Sequence, residues 1–187
     1  MKVVKIILWI VAILLVAIVG WLYYIGFFST LKVTEKAVGP YTLVYEDYTG
    51  PYSNTGPVVQ AVFDRLAKDG IKPIDGFGIY LDDPSKVKAS QLRSQVGCVL
   101  ADKDLKAFKK VAKKYKVLKL AKMMGITTEF PIKNNLSYMI GPMKAYPAIM
   151  KYMTEKKIAN EQIGTCLEYY DMAGMKITFV FQLKGKH

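Results

Sequence analysis

The feature that most constrains this chain is an uninterrupted apolar segment close to its N-terminus. Residues 6–28 contain no charged side chain. As a helix with a rise of 1.5 Å per residue, this segment covers about 35 Å, enough to cross a hydrocarbon core of about 30 Å. Trp21, Tyr23 and Tyr24 lie toward its far end, where aromatic rings favour the membrane interface. The segment predicts a transmembrane anchor over residues 1–31 and a single-pass membrane protein.

A cleaved signal peptide is the alternative to an anchor. Its apolar region normally spans about 7–15 residues and precedes small residues at a cleavage site, whereas this run is longer and no A-x-A follows it. We therefore expect an uncleaved anchor. Lys2 and Lys5 precede the segment, and Lys32 and Lys36, partly offset by Glu35, follow it. This small difference in charge favours an extracytoplasmic domain and leaves the side of the membrane open.

Few side chains beyond the anchor are suited to the common catalytic mechanisms. The only histidine is His187, so a Ser-His or Cys-His pair has no base. Cys98 and Cys166 form no CxxC motif, which excludes a structural zinc site, and two cysteines are too few for a disulfide scaffold. We expect both to be ordinary buried residues, although the sequence leaves a pairing open. Neither GxxxxGK[ST] nor GxGxxG is present, and we expect no cofactor and no metal.

Hydrophobic periodicity and turn residues predict an α+β domain over residues 32–187. A first unit reads as strand, helix, strand and strand, and a second unit repeats that order. The predicted elements of the first unit are 41–48, 56–69, 77–82 and 92–100. Those of the second are a strand around 123–125, a helix over 136–157 that is interrupted near 141–142, and strands 164–171 and 175–183. The two repeats extend over about 38–101 and 116–184.

The two units can be superposed on a short aromatic segment. Phe77-Gly78-Ile79-Tyr80 aligns with Leu167-Glu168-Tyr169-Tyr170, which places Tyr80 and Tyr170 in register. An internal repeat of this kind predicts two similar halves packed about a pseudo-twofold axis, with a central cleft between them. Clefts between units are favoured sites for ligands.

A lysine-rich segment, residues 102–116, links the two units. Its pattern predicts one amphipathic helix whose polar face carries Lys103, Lys106, Lys110, Lys113 and Lys114. Such a face is either simply solvated or, next to a membrane anchor, in contact with anionic lipid head groups. The chain carries 27 basic and 15 acidic residues, but Arg65 and Arg93 are its only arginines, so we do not expect a nucleic-acid partner.

Glu168 is the most informative single residue, because it is a carboxylate within an apolar and aromatic strand. Strand alternation places it on one face with Cys166 and Tyr170. If that face points inward, burial raises its pKa and makes it a partner for a cationic ligand or a general acid or base. If the face points outward, Glu168 is an ordinary surface charge. The pattern alone leaves both readings open.

Five segments, in order, resemble the GyrI-like family, which includes the effector-binding domains of some bacterial transcription regulators and is related to the SOUL haem-binding proteins. They are residues 45–52 (YEDYTGPY), 78–84 (GIYLDDP), 130–131 (FP), 144–148 (KAYPA) and 167–170 (LEYY). An anchor joined to such a domain also resembles a testis-expressed family member that acts as a receptor in endoplasmic-reticulum autophagy. The long tail of that member is absent from this sequence, so we do not expect its function here.

The resemblance implies a pocket for hydrophobic, often cationic, small molecules with a glutamate at its centre, which corresponds to Glu168. It implies aromatic walls, for which the candidates are Tyr45, Tyr48, Tyr52, Tyr80, Tyr138 and Tyr170. The first hypothesis is therefore a membrane-anchored binding module. The alternatives are a hydrolase that uses Glu168 as general base and a membrane-tethered interaction scaffold. Haem binding is a weaker hypothesis, because its axial ligand would have to be Tyr, Cys or Met.

Overall fold

The computed structural model describes residues 2–185, so His187 lies outside the described part. The chain begins with helix α1, Lys2–Tyr24, which has no buried side chain. Within residues 2–185 it is the one helix long and apolar enough to cross a membrane. None of its apolar window is packed inside the protein, so α1 differs from the core helix of a soluble domain.

The rest of the chain forms one eight-stranded antiparallel sheet, curled into a half-barrel, with three further helices. The strands are β1 Thr34–Val38, β2 Tyr41–Thr49, β3 Asp75–Tyr80, β4 Arg93–Leu100, β5 Lys116–Leu120, β6 Met123–Pro131, β7 Ile163–Asp171 and β8 Lys176–Leu183. The helices are α2 Thr55–Lys68, α3 Asp102–Phe108 and α4 Ser137–Glu155. The strand order is β1-β6-β8-β7-β3-β4-β2-β5.

The two long helices cover the two halves of the sheet and leave its centre between them. Helix α2 packs on β2 and β4, and α4 packs on β6 and β8. The core under α2 includes Val44 and Cys98, and the core under α4 includes Phe130 and Phe179. Strands β3 and β7 pair with each other at the middle of the sheet, which makes them the floor between the helices.

A third apolar cluster lies on the opposite face of the sheet. It contains Leu43, Phe77, Leu167 and Val180. Leu43 is next in sequence to Val44, and Val180 is next to Phe179, whose side chains both lie under the helices. Because successive strand side chains point to opposite faces, strands β2, β4, β6, β7 and β8 each contribute to this cluster and to a core under a helix. Strands that are apolar on both faces explain the nearly continuous hydrophobic character of β7 and β8 in the sequence.

The predicted α+β class and strand–helix–strand–strand order are confirmed. The single helix predicted over residues 102–116 is wrong, because α3 ends at Phe108 and only a short 3-10 turn, Ala112–Lys114, follows. Lysines four residues apart, such as Lys106 and Lys110, repel one another in a helix and oppose its continuation. Phe108 and Tyr115 still reach the same core, with their ring centroids 5.8 Å apart.

The predicted interruption near residues 141–142 is also wrong, because α4 runs unbroken through Pro142 and Pro147. Each proline removes the hydrogen bond to the carbonyl four residues earlier. Those carbonyls belong to Tyr138 and Met143, which lie on the exposed side of the helix. Because water can reach that side, the helix tolerates both prolines.

The last turn of α1 is fixed to the domain. Ile25, directly after the helix, is 1% exposed and belongs to the core under α4. The Lys133 ammonium group donates a hydrogen bond to the Tyr24 carbonyl, and Lys144 donates to the Phe27 carbonyl at 2.7 Å. Carbonyls at the C-terminal end of a helix lack partners within the helix, and these lysines satisfy them.

Gly97 on β4 provides a test of the pairing between β2 and β4. A Cβ atom at this position would overlap the Val44 carbonyl oxygen and lie 3.0 Å from the Tyr45 Cα atom. We expect Gly97→Ala to destabilise the domain by about 2 kcal/mol, the scale of overpacking, because neither backbone atom can move freely. The matched control is Gly56→Ala at the exposed start of α2, where a Cβ meets nothing within 4 Å. Equal urea midpoints for the two variants would contradict this account.

Candidate functional site

The candidate site is centred on the Glu168 carboxylate, at the middle of the sheet. Glu168 pairs with Gly78 on β3 and with Phe179 on β8, and it lies on the face that carries α2 and α4. Only 4% of the residue is exposed. The inward orientation, one of the two left open by the sequence, is therefore the one observed.

Two tyrosine hydroxyls hold the carboxylate. Tyr146 on α4 donates to Glu168 Oε1 at 2.8 Å, and Tyr170 on β7 donates to Oε2 at 2.9 Å. The Tyr80 and Tyr170 hydroxyls are 2.9 Å apart. Because the Tyr170 proton points to the carboxylate, Tyr80 donates to Tyr170. The result is a relay from Tyr80 through Tyr170 to Glu168, which joins strands of the two halves.

Two glycines on β3 make room for the tyrosine rings. A Cβ atom on Gly78 would lie 2.8 Å from the Tyr80 ring, and one on Gly76 would lie 3.3 Å from the Tyr170 ring. The glycines occupy alternate positions and therefore face the same side of the sheet. Since they have no side chain, the rings lie across the strand and bring their hydroxyls to the centre.

An aromatic row extends from this centre in both directions. Tyr52 meets Tyr80 edge to face with centroids 4.6 Å apart, and Tyr138 meets Tyr170 at 5.7 Å. The Tyr52 hydroxyl donates to the Asp82 carbonyl at 2.9 Å, which fixes that end of the row. Tyr138 is 40% exposed and forms the solvent end.

Burial raises the pKa of Glu168 from 4.5 to about 7, and the hydrogen bonds from Tyr146 and Tyr170 partly oppose this rise. Desolvation also raises the pKa of all three neighbouring tyrosines, and the nearby Glu168 charge raises it further, so they act as hydrogen-bond donors at neutral pH. Within residues 2–185, no lysine or arginine forms an ion pair with Glu168. When it is ionised, the carboxylate is therefore a buried charge that no protein cation neutralises.

A groove of about 510 Å³ opens where β3 and β7 separate beyond their paired segment. Its lining includes Tyr80 and Cys166, which flank Glu168 on the two strands, and also Leu81 and Lys184. Glu168 does not line this groove, which lies beside the carboxylate and is open to solvent.

The structure brings together five of the seven candidate residues and leaves two outside the site. Glu168, Tyr80 and Tyr170 form the centre, and Tyr52 and Tyr138 lie at the two ends of the aromatic row. Tyr48 lies on the same face, but its ring folds over Gly50.

Tyr45 packs in the cluster on the opposite face, so the structure does not bring it to the site. Tyr146, in contrast, was not among the candidates, although it lies within the KAYPA segment that carries the family resemblance. The predicted interruption of α4 concealed its position on the buried side of a continuous helix.

Cys98 and Cys166 are free cysteines and do not pair. Cys98 is buried, and burial raises the pKa of both thiols, that of Cys166 to about 11. Among the residues that the structure describes, no group of three His, Cys, Asp or Glu side chains could hold a metal ion.

Comparison with solved structures identifies the class of fold. The crystal structure of the EcmrR C-terminal domain matches 82% of this chain and 96% of its own, with a TM-score of 0.56 at 11% identity. A cryo-EM structure of an EcmrR–DNA complex matches 96% of this chain and 67% of its own, with a TM-score of 0.53 at 11% identity. A hydrolase from Listeria innocua matches 83% of this chain and 93% of its own, with a TM-score of 0.48 at 12% identity.

No family model matches the sequence, and no curated protein matches it. At these identities the two EcmrR structures show a shared fold. The protein is thus an α+β domain that shares its fold with the EcmrR C-terminal domain and is preceded by a long apolar helix. This architecture is consistent with the fold that the sequence resemblance implies.

The raised pKa of Glu168 predicts a characteristic dependence of stability on pH. The folded state favours the protonated carboxyl, so stability is highest below the unfolded pKa of 4.5 and falls as the pH rises to about 7. We expect Glu168→Gln to remove this fall. The free energy of unfolding of the variant should therefore rise by about 3 kcal/mol relative to that of the wild type between pH 4 and pH 8. Urea denaturation of the full chain in a non-ionic detergent measures this free energy for the two proteins. A constant difference between the two proteins across this range would contradict the assignment.

Proposed function

We propose that this protein is a membrane-anchored binding module for hydrophobic cations, with Glu168 as the charge at the centre of the site. The observation that carries the proposal is the buried carboxylate without a cationic partner in the described chain. An ionised carboxylate in an apolar environment is costly unless a positive charge approaches it. A ligand cation provides that charge, and the surrounding tyrosine faces add cation–π attraction.

The tyrosines also explain how the site tolerates the absence of a ligand. The Tyr146 and Tyr170 hydroxyls satisfy the carboxylate oxygens, and the raised pKa allows a proton to neutralise the charge. A cation that enters competes with that proton and with these hydrogen bonds. The site is therefore polar enough to bind a charge and closed enough to remain stable when empty.

The attachment of α1 supports an anchor over a cleaved signal sequence. Ile25 is part of the core, and Gly26 lies close to the Phe130 ring. Cleavage after Gly26 would remove both from the folded domain and leave Lys133 without the Tyr24 carbonyl. The helix before them has no protein partner for its apolar side chains, and a bilayer would provide one.

Isothermal titration with tetraphenylphosphonium tests the binding function. The full chain in lipid nanodiscs should bind this cation, with empty nanodiscs as the reference for partitioning. Glu168→Gln should weaken the affinity by about 10–100-fold, because the amide has nearly the same shape as the carboxylate but carries no charge. One tyrosine hydroxyl can still donate to the amide oxygen, whereas the hydroxyl that faces the NH2 group must turn and accept. The matched control is Glu161→Gln, which changes an exposed carboxylate.

Tetraphenylborate provides the second control of this experiment, since it has the same shape and the opposite charge. We expect no binding of the borate at pH 8. Equal affinity for the two ions, or equal affinity of the wild type and Glu168→Gln for the phosphonium, would contradict the proposal.

Hydrolysis by the same carboxylate is the second candidate function, because a pKa of about 7 suits a general base at neutral pH. Binding is favoured over it by the lack of a protein cation beside Glu168 in the described chain, because a bound cation would neutralise the ionised carboxylate and a hydrolytic water would not. Hydrolysis predicts turnover of an electrophilic aryl ester that rises with pH through about 7 and disappears in Glu168→Gln. Identical rates for the wild type and this variant would exclude it.

A further inference from the structure

Most of the exposed large apolar side chains beyond residue 31 share one end of the sheet. They are Ile74, Tyr138, Met139, Met143, Met172 and Met175, and we call this set the apolar end. Met143 is 62% exposed and Met172 is 39% exposed. A patch of this kind on a folded domain marks a contact surface rather than ordinary solvent exposure.

The strand register shows why these residues, which are far apart in the sequence, lie together. Lys176 pairs with Pro131 on β6 and with Asp171 on β7. The end of β6 and the β7–β8 turn therefore lie at the same end of the sheet. That turn carries Met172 and Met175. The start of β3 lies at the same end, because the Asp75 carboxylate accepts a hydrogen bond from the Met172 backbone amide at 3.1 Å.

Helix α1 joins the domain at this same end. The Ile132 amide donates to the Met175 carbonyl at 2.7 Å, and the next residue, Lys133, contacts the Tyr24 carbonyl at the end of α1. On α4, Met143 precedes Lys144, whose ammonium group donates to the Phe27 carbonyl. The apolar end therefore surrounds the point where an anchor in the bilayer would emerge.

The charge at this end also fits a lipid surface. Helix α3 begins directly after β4, whose last residue, Leu100, lies at the same end of the sheet. It places the exposed Lys103 and Lys106 there together with Asp102 and Asp104, so α3 adds no net charge. The lysines that lie beside the exposed methionines include Lys133 and Lys144. Lysines beside exposed methionines match a surface with anionic head groups over an apolar interior.

The aromatic row of the site reaches this end through Tyr138. Its hydroxyl contacts the Met172 sulfur at 3.6 Å, and its ring meets the Tyr170 ring edge to face. The Tyr170 hydroxyl in turn donates a hydrogen bond to Glu168. A short path of aromatic side chains thus connects the apolar end with the buried carboxylate. The 510 Å³ groove beside Leu81 lies at the opposite end of β3 and β7.

We propose that the apolar end rests on the bilayer and that Tyr138 is the membrane-side entrance to the Glu168 site, so that the protein takes hydrophobic cations from the lipid interface. The proposal rests on the proposed binding function and adds the source of the ligand. Amphipathic cations concentrate at an anionic lipid interface. An entrance at that interface would allow them to reach Glu168 without first passing into bulk water.

The placement on the bilayer is tested by tryptophan quenching with brominated lipids, which needs no ligand. Trp9 and Trp21, the only tryptophans of the chain, are replaced by Phe. In nanodiscs of brominated phosphatidylcholine and phosphatidylglycerol, Met143→Trp should lose most of its emission relative to unbrominated lipid. Met139→Trp, one turn earlier on α4, is the second reporter.

The matched control for placement is Leu81→Trp, an exposed apolar position at the opposite end of β3. We expect its emission to be unchanged. Unquenched emission from both α4 reporters, or equal quenching at Leu81→Trp, would overturn the proposal.

The entrance is tested by competition in the same nanodiscs at excess lipid. Hexadecyltriphenylphosphonium stays in the bilayer because of its long alkyl group. It should displace bound tetraphenylphosphonium from the wild type. Its affinity should fall by about tenfold or more in Glu168→Gln. The same head group coupled to dextran, which stays in water, should displace little.

Displacement by the dextran conjugate but not by the hexadecyl compound would show entry from the aqueous groove and overturn the proposal. In that case tetraphenylphosphonium would still bind in a manner that depends on Glu168. An absence of tetraphenylphosphonium binding would instead contradict the proposed function itself.

Discussion

The hydrogen bonds to the Glu168 carboxylate determine how the centre of this domain is built. A carboxylate at 4% exposure requires donors within a few ångströms, and this sheet offers none from its own paired backbone. Tyr146 and Tyr170 supply them. The glycines of β3 follow from the same requirement, since any larger side chain there would lift the tyrosine rings away from the sheet.

The same contacts join the two halves of the fold. Tyr170 and Glu168 belong to β7 in the second half, Tyr80 belongs to β3 in the first, and Tyr146 comes from α4. Because α2 packs on β2 and β4 and α4 packs on β6 and β8, these side chains meet over the central strands between the two long helices. The buried carboxylate is thus located where the two cores meet. The aromatic row also reaches, through Tyr138, the end of the sheet where α1 is attached.

Much of the fold and part of the site could be predicted from the sequence. The apolar run and the strand alternation are local patterns, and they identified α1 and the main strands. Alternation also placed Glu168 on one face with Tyr170, but it left open whether that face points inward. Strand parity alone separates Tyr45 from Tyr48, because an odd offset on β2 places them on opposite faces. The position of Tyr146 could not be read in this way. It depends on a helix that passes through two prolines, and that helix is stable only because its tertiary packing leaves the affected carbonyls on the solvent side.

The claim that a ligand cation replaces a proton at Glu168 can be measured directly. Calorimetric titration of tetraphenylphosphonium in buffers of different ionisation enthalpy gives the number of protons released on binding. With a pKa of about 7, Glu168 is mostly protonated at pH 6 and mostly ionised at pH 8.5. The account predicts release of nearly one proton per cation at pH 6 and almost none at pH 8.5. Binding without proton release at pH 6 would contradict it.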